Sequence, residues 1–114
     1  MRALVVEDEA IIAMMIEDMI GDLGHEVAAR AGDIGEAAAM ARTLAIDFAV
    51  LDVNLDGQTT FPVAEILTER GIPFVFATGY GAAALTGKWR NTPTLQKPFR
   101  ASDLAKVMAS TAGR

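Results

Sequence analysis

Short apolar runs alternate along this chain with longer segments whose apolar residues recur every third or fourth position, and this alternation limits the fold more than any other feature. Leu4-Val5-Val6 is rich in β-branched residues and too short for a helix. It predicts a strand buried on both faces, with acids at its C-terminal end. Ile12, Met15, Ile16, Met19, Ile20 and Leu23 mark one face of a helix, which Gly24 can close as a left-handed cap. A weaker second strand is expected around residues 26–29. Asp33 and Glu36 have the spacing of a capping box that opens an alanine-rich helix running to about Leu44. Phe48-Ala49-Val50-Leu51 reads as the third strand. Pro62 suits the first turn of a helix that ends at Gly71. Phe74-Val75-Phe76-Ala77 is the fourth strand and Thr94-Leu95-Gln96 a short fifth. Ser102, or the residue before it, starts a last helix carrying Leu104, Val107 and Met108.

Five strands separated by helices, with right-handed crossovers, predict an α/β fold: a flavodoxin-like, doubly wound, five-stranded parallel sheet of strand order 2-1-3-4-5. A chain of 114 residues that is 52% hydrophobic suits one domain over residues 1–114, with one core and no need of disulfides. The segment after the fourth strand places Gly79, Gly81, Gly87, Asn91 and Pro93 around residues 82–85, so the fourth helix is expected to be short or irregular. Zero cysteines exclude thiolate zinc sites and cysteine nucleophiles and suit a reducing compartment. The N-terminus reaches Glu7 and Asp8 too soon for a signal peptide, and no apolar run approaches the roughly 20 residues of a membrane span. Fifteen acidic against ten basic residues, a formal charge of −5, argue against direct nucleic-acid binding. The expectation is a cytoplasmic protein without membrane partners. Its Met1 start and polar end favour a complete chain over a piece excised from a longer protein.

In open parallel sheets the ligand site lies beyond the carboxyl ends of the strands, at the topological switch point. The residues there are Glu7 and Asp8, Asp52, Thr78 and Lys97. Three carboxylates converging in a partly buried pocket repel one another and require a cation or an elevated pKa. Magnesium fits best, because it takes oxygen ligands, keeps several waters and works with carboxylates and a phosphate; manganese can stand in for it. One carboxylate can then be a nucleophile toward phosphorus, since positioning and electrostatics carry most of phosphoryl transfer. The Lys97 ammonium can pair with one phosphoryl oxygen, and the Thr78 hydroxyl can donate to another.

Taken in order, Glu7-Asp8, Asp52, Thr78 and Lys97-Pro98-Phe99 resemble the receiver domains of two-component response regulators, over nearly the whole chain. The resemblance implies that Glu7 and Asp8 hold magnesium, with Asp8 the more direct ligand. It implies that Asp52 is both ligand and phosphoacceptor, that Asn54 adds its backbone carbonyl, and that the Lys97–Pro98 peptide is cis. It also implies a sensor histidine kinase or histidine phosphotransfer protein as donor and a further, unidentified protein downstream. Phe76-Ala77-Thr78-Gly79-Tyr80-Gly81 is similar to a subgroup of stand-alone receivers of α-proteobacteria named for a Phe-Ala-Thr-Gly signature. Most receivers carry an aromatic residue three positions before the lysine that rotates inward as the threonine moves. Thr94 stands there in this chain, so Tyr80, two residues beyond Thr78, is the substitute switch residue within residues 79–93.

Other residues have plainer readings. Asp56 and Gly57 form a turn, His25 is a surface turn residue, and Met14, Met15 and Met19 fill the core of the first helix. Trp89 either anchors a partner or packs locally. Two alternatives to phosphoryl acceptance stay open: a receiver-like scaffold that binds without phosphorylation, and a magnesium-dependent phosphohydrolase. Asn54, two residues after Asp52, stands where such a hydrolase needs an acid.

Overall fold

The computed structural model describes residues 1–79 and 85–112. Its five-stranded parallel sheet runs β2-β1-β3-β6-β7, formed by β1 (Arg2–Val6), β2 (Glu26–Ala31), β3 (Phe48–Asp52), β6 (Phe74–Thr78) and β7 (Thr94–Gln96). With the small hairpin β4 (Asn54–Leu55) and β5 (Gln58–Thr59) set aside, this is the 2-1-3-4-5 order of a flavodoxin-like sheet. Among the described residues four α-helices flank it: α1 (Ala10–Asp22), α2 (Ile34–Thr43), α3 (Phe61–Glu69) and α4 (Ala101–Ala112).

The interiors of β1, β3 and β6 are apolar because these strands are covered on both faces, and successive side chains serve different cores. Leu4 and Val6 of β1, Ala49 and Leu51 of β3 and Phe76 of β6 point into one core, with Ala37, Ala41, Val63, Ala64 and Leu67 from α2 and α3. Ala3, Val5, Phe48, Val50, Val75 and Ala77 point into the other, with Ala13, Ile16 and Ile20 of α1 and Leu104 and Met108 of α4. Each large apolar side chain so buried contributes about 1.5–3 kcal/mol.

Local signals set the element ends. The Asp33 carboxylate accepts from the Glu36 amide at 2.8 Å to cap α2, and Glu36 reaches back to the amide of Gly32. Gly24 and Gly71, at φ 85° and 70°, turn the chain out of α1 and α3 in the left-handed region that glycine adopts without strain.

The expected turn at Asp56-Gly57 is present, as the tip of an antiparallel hairpin with both residues at positive φ, 49° and 83°. Two expectations need correction. β2 continues two residues past Ala29, to Ala31. The methionines of α1 are not all core: Met14 and Met15 are 55% and 49% exposed, while Ala13, Ile16 and Ile20 make the buried stripe. Ile12, Met15, Ile16 and Met19 line a groove of about 300 Å³ against Lys97, Pro98 and Phe99.

Trp89 packs locally, in a 3-10 turn (Gly87–Trp89) among the rings of Phe61, Phe74 and Phe76. This turn is the helical structure described between β6 and β7, since residues 80–84 and with them Tyr80 lie outside the described residues. No helix among the described residues is long and apolar enough to cross a membrane.

Candidate functional site

The strand order reverses between β1 and β3: the chain leaves β1 over α1 toward β2, then returns over α2 to β3 on the other side. A crevice therefore opens beyond the carboxyl ends of these two strands. Glu7 and Asp8 follow β1, and Asp52 is the last residue of β3. One carboxylate oxygen from each of the three lies within 4.8 Å of the others. Among the described residues this is the acidic group that could hold a metal ion.

Lys97, just past β7, enters the same crevice. Its ammonium lies 2.5 Å from Oε1 of Glu7 and 3.2 Å from Oδ2 of Asp52. Its amide donates to the carbonyl of Thr78 at 2.8 Å, which ties the ends of β6 and β7 together. Thr78 is buried at the end of β6, one residue beyond the Ala77 that pairs with Asp52. The Lys97–Pro98 peptide is cis.

Electrostatics distinguish the carboxylates. Glu7 is 2% exposed, and burial pushes its pKa up to about 7. The Lys97 hydrogen bond and the Glu9 amide oppose that rise, and the charge of Asp52 adds to it. Burial also pulls the Lys97 ammonium down, but the hydrogen bond it donates to Glu7 and the charges of Asp52 and Glu7 outweigh it and leave the pKa above the ordinary lysine value. The Lys97 ammonium thus pairs with two of the three clustered carboxylates, Glu7 and Asp52. The remaining negative charge and the all-oxygen donor set suit a hard divalent cation such as magnesium.

Backbone amides of the β4–β5 hairpin complete the rim. The Asn54 amide donates to Oδ1 of Asp52 at 3.4 Å, and the Asp56 amide donates to Oδ2 of Asp8 at 3.2 Å. Asp56 therefore meets the site through its backbone. Sequence reasoning missed Thr60, whose fully buried hydroxyl donates to the carbonyl of Asp52 at 2.5 Å. The available signal was a polar residue set between a turn and the apolar start of α3. The pairing itself spans eight positions and exists only in the folded chain.

Acids at the ends of the first and third strands of a flavodoxin-like sheet, faced by a lysine after the last, define an α/β module with an acidic, cation-binding crevice at its switch point. The chain belongs to the response regulator receiver domain family, whose model matches residues 3–109. It is 32% identical over 117 residues to the transcriptional regulatory protein PdtaR of Mycobacterium tuberculosis, covering 99% of this chain and 57% of that protein. The chain thus spans little more than half the length of that curated relative. Among solved structures, SdrG of Sphingomonas melonis is similar at 42% identity and a TM-score of 0.87, over 96% of this chain and 94% of that one. The BeF3-activated conformation of SdrG is similar at 43% identity and a TM-score of 0.81, over 96% and 93% of the two chains. These structural neighbours are SdrG-type receiver domains of α-proteobacteria. Receivers of this family are signalling domains of two-component systems rather than classical enzymes, and they interact with kinases or phosphotransfer proteins.

Proposed function

We propose that this receiver accepts a phosphoryl group on Asp52 in a magnesium-dependent reaction, from the phosphohistidine of a sensor histidine kinase or histidine phosphotransfer protein, and thereby changes its binding to a downstream protein. The observation that carries this reading is the Asp52 carboxylate set at the mouth of the crevice beside two further carboxylates, with the Lys97 ammonium 3.2 Å away.

In the reaction, an Asp52 carboxylate oxygen attacks phosphorus in line with the donor nitrogen. The P–N bond breaks, its electron pair stays on the imidazole, and the imidazole takes up a proton; the product is an aspartyl phosphate. The Lys97 ammonium and the Thr78 hydroxyl stabilise the phosphoryl oxygens as charge shifts onto them. Glu7, Asp8 and Asp52, with the Asn54 backbone carbonyl, would hold magnesium or manganese, which neutralises charge on the incoming phosphoryl group. The BeF3-activated conformation of SdrG supports an activatable site in this chain as well. Asn54 in place of an acid favours a lasting phosphorylated state over hydrolytic turnover. Residues 79–93 are the element that reorganises, with Thr78 and Tyr80 as its switch residues.

Incubation with acetyl phosphate and magnesium, read as a band shift on Phos-tag gels, tests the proposal. The protein should give a long-lived shifted band. Asp52→Asn should give none while keeping the fold, with metal-free stability level or higher and magnesium affinity lower, since one of three mutually repelling acids is gone. Uptake by that variant at the normal rate would make the assignment wrong. Partner binding by a protein that never shifts would favour the scaffold reading.

A further inference from the structure

We propose that Thr60 is a positioning residue for the phosphoacceptor; this rests on the reading of Asp52 above and deepens it. The last main-chain bond between β3 and β6 runs from the Val53 amide to the Ala77 carbonyl, at 3.1 Å. At that point the chain leaves the sheet for the β4–β5 hairpin, and Thr60 closes the excursion. Its hydroxyl donates to the Asp52 carbonyl at 2.5 Å, and its amide donates to the Val53 carbonyl at 2.9 Å. Its own carbonyl accepts from the amides of Val63 and Ala64 at 3.0 and 3.1 Å, which fixes it to the first turn of α3. Thr60 is fully buried. One side chain thus joins the first turn of a helix to the peptide that follows the nucleophile.

The consequence falls on the carboxylates. Orienting the Asp52 carbonyl sets the peptide planes that follow it, and those planes aim the Asn54 amide at Oδ1 of Asp52 and the Asp56 amide at Oδ2 of Asp8. Without the hydroxyl, the Asp52 carbonyl loses a buried donor, and the chain can rotate to find another partner. The Asp52 carboxylate then departs from its line of attack. In-line displacement is sensitive to such shifts, because a displacement near 1 Å can slow a reaction on the order of a hundredfold.

Thr60→Ser and Thr60→Ala both remove the methyl group, and only serine keeps the hydroxyl, so their comparison isolates the hydrogen bond. With acetyl phosphate and saturating magnesium, Thr60→Ala should be phosphorylated on the order of tenfold more slowly than Thr60→Ser, which should stay near the unaltered protein. Urea unfolding verifies that both variants are folded under assay conditions. Amide NMR shifts of Asn54 and Asp56 should move in the alanine variant and return in the serine variant. Should Thr60→Ala fail to fold, Thr60→Val, which keeps the volume and lacks the hydroxyl, takes its place. Equal rates for serine and the variant without a hydroxyl would overturn the positioning role and leave Thr60 a packing residue. Failure of the Asp52 reading looks different: the unaltered protein would not be phosphorylated, or Asp52→Asn would be.

Discussion

The Lys97 ammonium donates to Glu7 at 2.5 Å, nearer than its 3.2 Å approach to Asp52. The Lys97 ammonium is therefore shared, and its shorter bond is to the more buried acid. Lys97 follows the edge strand β7, whereas Glu7 follows β1 inside the sheet, so this bond also closes the crevice from one side to the other.

Lys97→Ala removes that closure. Metal-free stability should fall by roughly 1–3 kcal/mol, less than a fully unpaired buried charge costs, because Glu7 can take a proton instead. Magnesium affinity should stay similar or rise, since a competing cation is gone, while the conformational response to phosphorylation weakens. Urea midpoints with and without magnesium, and titration followed by tryptophan fluorescence, measure these effects. A large loss of magnesium affinity would contradict the role assigned to Lys97.

Glu7 gives the metal-free protein a pH dependence. With its folded pKa raised to about 7 from 4.5, the native state holds the proton more tightly than the unfolded state. The resulting stability is fully present below about pH 4.5 and is lost as pH rises through 7, a change on the order of 3 kcal/mol. Magnesium competes with that proton, so its affinity should increase over the same range. Urea unfolding at pH 5 and pH 8 without metal, repeated for Glu7→Gln, decides the matter. The glutamine variant should show a flatter profile, and identical profiles for both proteins would remove Glu7 as the source.

The hairpin tip has a separate cost. Gly57 sits at φ 83° with open space around its Cα, so Gly57→Ala meets no clash and its whole penalty is backbone strain. Stability should drop by about 1–2 kcal/mol. Asp56→Gly, at φ 49°, should be close to neutral. Urea midpoints of the two variants check the contrast, and equal losses would show that the hairpin is held by side chains rather than by turn geometry.

Phosphorylation should alter hydrogen exchange across residues 79–91 more than across α4. The sequence of this segment is interrupted by Gly79, Gly81, Gly87 and Asn91, so its intrinsic helix propensity opposes a rearrangement only weakly. Tyr80→Ala should reduce the exchange difference without preventing phosphorylation. A difference concentrated elsewhere in the chain would sink the assignment of this segment as the switch.

Some of this architecture was open to sequence reading because its physical causes are local. β1, β3 and β6 each carry an apolar run, Ala3 to Val6, Phe48 to Leu51 and Phe74 to Ala77, since both faces are covered, and that pattern needs no partner to be recognised. β2 was read two residues short because Arg30 looks like a strand end. On an edge strand it stays outside and pairs with Glu17. The period of α1 located its apolar arc, but not how much of that arc the sheet could cover, which left Met14 and Met15 outside. Strand-end positions indicated that Glu7, Asp8, Asp52 and Lys97 share one mouth. Which acid Lys97 bonds more closely, and that Thr60 grips the Asp52 carbonyl, depend on distances between elements far apart in the chain.

The division of alternate strand residues between two cores has a consequence for how this chain can change in length. One residue inserted between Ala49 and Val50 would exchange Val50 and Leu51 between the two sides of the sheet, and would turn Asp52 away from Glu7 and Asp8. Packing and chemistry are thus indexed by the same parity. Insertions and deletions can accumulate in the connections, while in the central strands a single one destroys the interior and the chemistry together.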